Sequence, residues 1–358
     1  MPIFSTHPAR ADMTLRYRPA EPRDAAAWDA FVDTHPDATF FHRFAWGGIL
    51  ATGFGHRPHF LLAERDGQVC GVLPLMEVKT LLFGHALVSL PFAVYGGPLA
   101  ADGEALQGLA EAALALQRVL GAPVCEFRAR GGLDLDPQRF VTPEPLYFTF
   151  RKTLPEGEDD LLKAIPRKQR AVVRKAIERG LTSRIEHTVE PFFSLYAESV
   201  HHLGTPVFSR RYVRALLEGL GRDVEILTVR HEDRPVCAVL SFVFRDEILP
   251  YYAGGGPAAR GVGGHDFMYW ALMRRARERG LSGFDFGRSK AGTGAFDFKK
   301  NWGFAPAPLP YCFALAPGAA IPENNPLNPK YRAMIALWKR LPRPVVNRLG
   351  PAIIRGLG

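Results

Sequence analysis

A glycine-rich segment late in the chain carries the residues best suited to chemistry. Residues 287–304 read GRSKAGTGAFDFKKNWGF, so cations stand among glycines that expose the backbone. Cations and free backbone amides in one loop are typical of a site that binds an anion or stabilises an oxyanion. The alternative is a surface loop with solvated charges. The composition favours a functional loop, with Arg288 and Lys290 as candidate ligands of an anion.

A second glycine-rich segment, residues 254–266, precedes an apolar helical pattern and reads GGGPAARGVGGHD. Glycines let a ligand approach the backbone, and the N-terminus of a helix offers free N–H groups to a phosphate. Asp266 could equally be an ordinary N-cap, in which case His265 only shapes the turn. Both interpretations stay open. The candidate donor-binding residues here are Arg260, Gly261, Gly263, Gly264 and His265.

The most basic segment runs from Lys163 to Arg184, with eight basic residues against a single glutamate. One apolar stripe runs through it, which predicts an amphipathic helix ending at Gly180. Its cations could bind a nucleotide, a tRNA or a lipid-linked diphosphate, although a solvated helical face is an equally good interpretation. The candidate acceptor- or phosphate-binding residues are Arg167, Lys168, Arg170 and Arg174, together with Tyr251 and Tyr252.

Internal repeats indicate how these segments are positioned. Four pairs of segments match in the same order: Glu64–Leu75 with His231–Phe242, Gly96–Pro98 with Gly255–Pro257, Glu104–Leu120 with Gly263–Arg279, and Glu126-Phe127 with Asp285-Phe286. Each half is therefore predicted to contain helices and strands in the same order, after an opening strand at Thr14–Arg18 or Thr182–Glu186. Only the second half carries the glycine- and lysine-rich loop, so we expect the chemistry there.

These patterns predict an α/β (α+β) fold with two similar domains, each a mixed, mostly antiparallel sheet flanked by helices. The predicted divisions are residues 1–153, residues 154–316 and a basic, proline-rich tail, residues 317–358. From Ile321 to Gly358 the tail has seven basic residues and one acidic residue, within a net charge of +9 for the chain. Such a tail suits an anionic surface, and packing back onto the second domain is the alternative.

Composition excludes several classes of protein. The 358 residues are 47% hydrophobic and 23% charged, an ordinary globular composition. The four cysteines lie far apart, which argues against a zinc site or a disulfide scaffold, and we expect no metal. The sequence has no GxSxG, HExxH or phosphate-loop lysine motif. The first residues lack the apolar segment of a signal peptide, so we expect a cytoplasmic protein.

Six motifs together resemble the FemAB family, whose members pair two acetyltransferase-like (GNAT) domains. The chain looks most similar to the FemAB-like proteins associated with exosortase/PEP-CTERM systems, over nearly its whole length. The motifs are PRKQRAVVRKA (166–176), HLGTPV (202–207), HDFMYW (265–270), FDFGRSK (284–290), FKKNWGF (298–304) and NPLNPKY (325–331).

The resemblance implies transfer of an acyl or aminoacyl group to an amine on a cell-envelope or exopolysaccharide precursor. No cofactor would be held permanently, and acyl-CoA or another activated donor would be a co-substrate. Phe298-Lys299 matches a Phe-Lys motif that places a lysine at the reacting carbonyl in peptidoglycan-building relatives. Lys299 would stabilise the oxyanion, and Asp285 would accept the proton of the amine.

Two departures from the family pattern affect the choice of donor. His265 stands where the pyrophosphate signature of CoA-binding relatives has a small residue. The helical arm of many tRNA-dependent relatives has no room in this chain, so tRNA is possible but not favoured. A peripheral position on the inner face of the membrane is a further possibility. The alternatives are a tRNA-dependent peptidoglycan transferase and a non-catalytic binding protein with the same fold.

Overall fold

The structure, a computed structural model, describes residues 15–80, 83–322 and 329–357. The first half alternates short strands with three long helices. Its elements are β1 (Leu15–Pro19), α1 (Ala25–Thr34), α2 (Ala45–Phe54), β2 (Arg57–Pro58), β3 (Leu61–Arg65), β4 (Gln68–Leu73), β5 (Met76–Thr80), β6 (Gly84–Val88), β7 (Leu99–Ala100), α3 (Gly103–Leu120), β8 (Val124–Phe127) and β9 (Tyr147–Thr153).

The second half has a similar order after two added helices, and two further helices follow it. Its elements are α4 (Glu158–Ala164), α5 (Arg167–Glu178), β10 (Thr182–Glu186), α6 (Phe192–Leu203), α7 (Arg210–Leu220), β11 (Val224–His231), β12 (Arg234–Phe244), β13 (Glu247–Gly255), α8 (Pro257–Val262), α9 (Gly264–Glu278), β14 (Gly283–Asp285), β15 (Ser289–Lys290), α10 (Gly294–Asn301), β16 (Pro306–Pro308), β17 (Cys312–Leu315), α11 (Pro329–Arg340) and α12 (Arg343–Ile354).

The strands form mixed, mostly antiparallel sheets flanked by helices, which confirms the predicted fold class. The first half contributes most of two sheets, with strand orders β1-β3-β4-β7 and β17-β8-β6-β5-β2. The second half forms one long sheet, β10-β11-β12-β13-β14-β9-β15, in which β16 also pairs with β9. Among the described strands, β6–β8 and β13–β14 are the parallel pairs.

The matched hairpins confirm the internal repeat. The turns between β3 and β4 and between β11 and β12 both contain residues with positive φ, at Asp66 and Asp233. Cys70 and Cys237, which the repeat aligns, are both buried in the second strand of their hairpin. Gly121 closes α3 in the left-handed conformation, as predicted for a helix C-cap.

The two halves exchange a strand. β9 precedes the predicted boundary at residue 153 but pairs with β14, β15 and β16 of the second half. β17 follows the second repeat but pairs with β8 of the first half. The domain boundaries at residues 153 and 316 stay a prediction from the sequence repeats. Strand pairing crosses both boundaries. The repeats did not reveal this exchange, because they align similar segments and carry no information on which strands pair.

A shared hydrophobic core joins the two halves. Phe40 stacks on Phe242 with ring centroids 4.4 Å apart, and Trp46 packs edge-on against the same ring. Phe54 of α2 contacts Tyr212 of α7 at 4.5 Å between centroids. Burying large aromatic rings across the boundary fixes the relative position of the two halves. A site built from both halves is therefore held rigidly.

Two sequence predictions about helices need correction. The predicted helix from Lys163 is broken, because Pro166 lacks an N–H and separates α4 from α5. Asp266 is not an N-cap: it lies in the first turn of α9, and its carboxylate accepts a hydrogen bond from Trp302 Nε1 at 3.1 Å.

The N-terminal residues 1–14, including the start of the first predicted strand, lie outside the described residues, as does most of the 325–331 motif. In the described ranges no helix is both long and apolar enough to span a bilayer.

Candidate functional site

The site lies where β13 and β14 separate. These parallel strands pair only at Glu247–Gly283 and Ile248–Phe284. Beyond this point β13 continues beside β12 only, while the chain after β14 stays with β9, where Phe286 N donates to the Phe150 carbonyl at 2.8 Å. The result is a wedge in the sheet, open at the carboxyl ends of both strands. Segment 92–95 of the first half reaches it, because the Phe92 carbonyl accepts a hydrogen bond from the Tyr251 hydroxyl.

Asp285 stands at the end of β14 and is 1% exposed. Its carboxylate accepts hydrogen bonds from Tyr95 Oη at 2.8 Å, Thr149 Oγ1 at 3.0 Å and Gly287 N at 2.7 Å. Burial raises the pKa of Asp285, because a charged carboxylate loses its hydration, and the three donors offset part of that rise. A carboxylate with a raised pKa is a stronger proton acceptor than an exposed one.

Lys299 lies in the last turn of α10, a helix capped by Thr293, whose Oγ1 accepts from Phe296 N. The half-buried ammonium group donates to the carbonyl oxygens of Gly287 at 2.9 Å and Arg288 at 3.1 Å. Burial lowers the pKa of Lys299 to about 7. Its third N–H points to neither carbonyl, so it is available to an incoming oxygen atom.

Gly287 connects the two predicted catalytic residues. Its N–H donates to Asp285 and its carbonyl accepts from Lys299, so the two side chains approach one residue from different directions. Within the described ranges, no ion pair within 4.0 Å joins Asp285 to Lys299. The structure therefore brings the predicted pair to one place without direct contact. A reacting group in the wedge beside Gly287 would be near both.

A cavity of about 190 Å³ opens on the Asp285 side of the sheet, between the two halves. Its walls include aromatic rings of both halves, and its polar lining includes Tyr95, Asp285, Arg151 and Glu247. Arg151 bonds Glu247 at 2.8 Å and lies 3.8 Å from Asp285. Burial and the neighbouring Asp285 raise the pKa of Glu247 to about 7. Arg130, Arg245 and Asp246 also line the cavity, so three guanidinium groups and three carboxyl groups surround it.

The predicted donor-binding residues of the second glycine-rich segment lie together where α8 meets α9. Arg260 and Gly261 are exposed on α8, and Gly263 joins the helices in the left-handed conformation, φ 74°. A Cβ at Gly263 would lie 2.9 Å from Val172 of α5, so only glycine allows this close packing. His265 is half-buried beside Gly255, and burial lowers its pKa.

The other predicted cations lie in different surroundings. The Arg288 guanidinium stacks on the Tyr147 ring at 4.5 Å from its centroid, and Lys290 lies on β15 beside β9. α5 packs on α9, and its Val172 and Ala176 lie against Gly263 at the α8–α9 junction. Of the α5 cations, Arg167, Lys168 and Arg174 are exposed, while Arg170 is half-buried and donates to the Lys163 carbonyl at 3.3 Å.

The predicted acceptor-binding set is therefore divided. Tyr251 and Tyr252 lie in the aromatic interface between the two halves, away from the α5 cations. Tyr252 Oη is 3.0 Å from Tyr212 Oη, and Tyr251 donates to a backbone carbonyl. Both hydroxyl groups thus have partners inside the protein. The α5 cations are closer in the fold to the predicted donor loop than to these tyrosines.

Sequence reasoning missed four residues around Asp285. Tyr95 comes from the first half, Thr149 and Arg151 come from the exchanged strand β9, and Glu247 begins β13. The sequence contained one indication for Tyr95. The repeat aligns Tyr95 with Gly254, so the first half has a large side chain at a position where the second half has none. For the other three, their position depends on strand pairing over long sequence distances.

Comparison with known proteins agrees with this architecture. Residues 167–300 match the family model described as an acetyltransferase (GNAT) domain. The fold is that of tandem GNAT domains. A tandem GNAT protein from the clavulanic acid biosynthesis pathway aligns with a TM-score of 0.55 and 12% identity, over 86% of this chain and 100% of that chain.

Two further solved structures share the fold. FemX aligns with a TM-score of 0.65 and 15% identity, over 84% of this chain and 97% of that chain. The C-terminal domain of a putative lysylphosphatidylglycerol synthetase from Agrobacterium fabrum aligns with a TM-score of 0.54 and 14% identity, over 82% and 91%. At these identities the likeness concerns the fold alone. A search of curated proteins found no match to this chain.

Proposed function

We propose that this protein transfers an acyl or aminoacyl group from an activated donor to an amine. One observation carries the proposal: Asp285 and Lys299 converge on Gly287 at the open end of the wedge between β13 and β14. A proton acceptor and an oxyanion-stabilising cation on either side of one position are the two groups that this reaction needs. The GNAT match over residues 167–300 supports the same chemistry.

In the proposed reaction the amine nitrogen attacks the donor carbonyl carbon. The new C–N bond forms, and the carbonyl oxygen takes up negative charge, which the free N–H of Lys299 stabilises. The amine proton passes to the carboxylate of Asp285. The bond to the leaving group, a thiol for acyl-CoA or a ribose hydroxyl for aminoacyl-tRNA, then breaks, and the leaving group takes up a proton.

The proposed acceptor enters through the cavity between the halves. An ammonium group there would lie near the carboxylates of Asp285 and Glu247, between aromatic walls that attract cations. The ammonium group gives one proton to solvent, the neutral amine attacks, and Asp285 takes up the proton that the nitrogen loses on attack. We propose that this amine belongs to a cell-envelope or exopolysaccharide precursor, in the manner of exosortase/PEP-CTERM-associated relatives, and that the protein works at the inner face of the membrane.

The leading donor is acyl-CoA. A tRNA-dependent transferase is the second candidate, and the exposed cations of α5 favour it: among the described residues, Arg167, Lys168 and Arg174 form no ion pair. The helix that carries them packs against the α8–α9 junction, the segment proposed to bind an anionic donor. Phosphate groups of either donor would suit them.

A thermal-shift experiment separates these possibilities, because only a ligand that binds the native state raises the unfolding midpoint. Acyl-CoA, acylated carrier protein and aminoacyl-tRNA are tested in parallel, each against its unacylated form. We expect acyl-CoA to raise the midpoint. A shift with aminoacyl-tRNA alone would make the protein tRNA-dependent. Binding of a donor without transfer to any amine would favour the non-catalytic alternative.

A further inference from the structure

The last two helices pack against the body of the protein. We call α11 and α12 together the terminal hairpin. The Trp338 carbonyl of α11 is 3.2 Å from His201 Nε2 of α6, and Ile335 lies close against Gly204 at the end of α6. Gly350 of α12 packs on the backbone of Val207. One side of each helix is therefore fixed to the second half.

The opposite side of the hairpin exposes large apolar side chains. On α11, Met334 is 54% exposed and Leu337 is 63% exposed. On α12, Val345 is 39% exposed and Leu349 is 47% exposed. Residues three or four positions apart share one face of a helix, so each helix presents a pair of apolar side chains to solvent. Because the inner faces are occupied by α6, these pairs have no partner within the described chain.

The same segment is strongly basic. Residues 329–357 contain seven basic residues and no acidic residue. Arg343 is used internally, since it lies 3.5 Å from Glu198. Lys339, Arg340 and Arg348 form no ion pair with any described residue, and Arg340 and Arg348 are exposed. The outer surface of the hairpin thus combines exposed apolar side chains with unpaired cations.

We propose that the terminal hairpin docks this protein on an anionic lipid bilayer. Apolar side chains among cations suit a membrane interface, where the former enter the acyl boundary and the latter contact anionic headgroups. A second copy of the chain is a poor partner for this surface, because two such hairpins would bring like charges together. A nucleic acid would use the cations but leave the leucines in water.

The inference deepens the proposed position at the inner face of the membrane, and binding to lipid does not depend on catalysis. A lipid-linked amine acceptor would be confined to the same surface as the enzyme. Docking through α11 and α12, which are anchored to α6 of the second half, would hold the catalytic half at a fixed distance from the bilayer.

Co-sedimentation of the full-length protein with vesicles tests the proposal. The vesicles are phosphatidylcholine with one quarter phosphatidylglycerol, compared with pure phosphatidylcholine, without donor or acceptor. We expect binding to the anionic vesicles that weakens as salt is raised. The double variant Arg340→Gln/Arg348→Gln should bind about twenty-five-fold more weakly, at about fivefold per cation. Leu337→Ser/Leu349→Ser should weaken binding by about tenfold or more.

The matched control is Arg118→Gln/Val119→Ser at the end of α3 in the first half, where Val119 is 83% exposed. It removes a cation and an apolar side chain from another surface, and its binding should equal that of wild type. All variants change exposed side chains, and unchanged circular dichroism and melting confirm that they fold.

The inference would be overturned by no binding to anionic vesicles at low salt, by equal losses in the control and the hairpin variants, or by a dimer in sedimentation that Leu337→Ser dissociates. Weaker vesicle binding in the charge variant alone would also overturn it. That result would indicate contact with the anionic surface through charge only, without entry of the apolar side chains into the bilayer. Transfer to a soluble amine is assayed separately. Normal transfer without vesicle binding rejects the docking only, whereas vesicle binding without transfer rejects the proposed function only.

Discussion

The Tyr95–Asp285 hydrogen bond gives the sharpest test of the site, because it joins a residue of the first half to the proposed base of the second. Tyr95→Phe removes the hydroxyl that donates to Asp285 Oδ2 at 2.8 Å and leaves the ring in place. A hydrogen bond to a charged group contributes roughly 1.5–3 kcal/mol. One pKa unit corresponds to about 1.36 kcal/mol, so the pKa of Asp285 should rise by about one to two units.

The assay is the pH profile of kcat/KM. If the ionised form of Asp285 accepts the amine proton, the acidic limb of the profile should move to higher pH by about one to two units in Tyr95→Phe, with little change on the plateau. The matched control is Tyr212→Phe, because Tyr212 is also fully buried but its hydroxyl bonds Tyr252 instead. An acidic limb that stays in place in Tyr95→Phe, or moves equally in the control, would show that Asp285 is not the base.

Three further predictions concern the same site. Lys299→Ala should lower turnover about a hundredfold or more with the fold intact, whereas the exposed neighbour Lys300→Ala should retain it; equal turnover in both would remove Lys299 from the mechanism. Asp285→Asn should abolish most turnover, whereas Glu126→Gln should not, because the carboxylate of Glu126 is bound by Arg128 at 2.8 Å; equal losses would locate the chemistry elsewhere. Folding raises the pKa of Glu247 from 4.5 to about 7, so the folded state binds more protons in that range and the free energy of unfolding should fall by roughly 3 kcal/mol as pH rises through it. Denaturant titrations at several pH values should show a weaker dependence of the unfolding free energy on pH in Glu247→Gln. An unchanged dependence would assign it to another group.

Local sequence patterns predicted the elements well. Helix α3 ends before a left-handed glycine, and the amphipathic pattern of α5 matches the helix that forms after Pro166. The repeat correctly aligned the hairpins β3–β4 and β11–β12. These features depend on residues within a few positions of one another, so composition and spacing carry the information.

The candidate site was predictable only in part. Lys299 and Asp285 were found from a motif and from the repeat, and the structure places both beside Gly287. The pKa of Lys299, lowered to about 7, was not predictable, because it follows from burial against Phe150 and Phe286. Burial depends on which elements pack together, and the motif does not contain that information.

The sequence by itself determined the fold class, the duplication and the segment that carries the reactive lysine, since each leaves a pattern along the chain. Tertiary structure alone decided that β9 joins the second sheet, which places Thr149 and Arg151 beside Asp285. It also decided that Tyr95 crosses from the first half, and that the terminal hairpin packs on α6. The physical reason is the same in each case: these contacts join residues far apart in sequence. Burial of aromatic surface at the shared interface favours them, and hydrogen bonds offset the cost of burying the polar groups there.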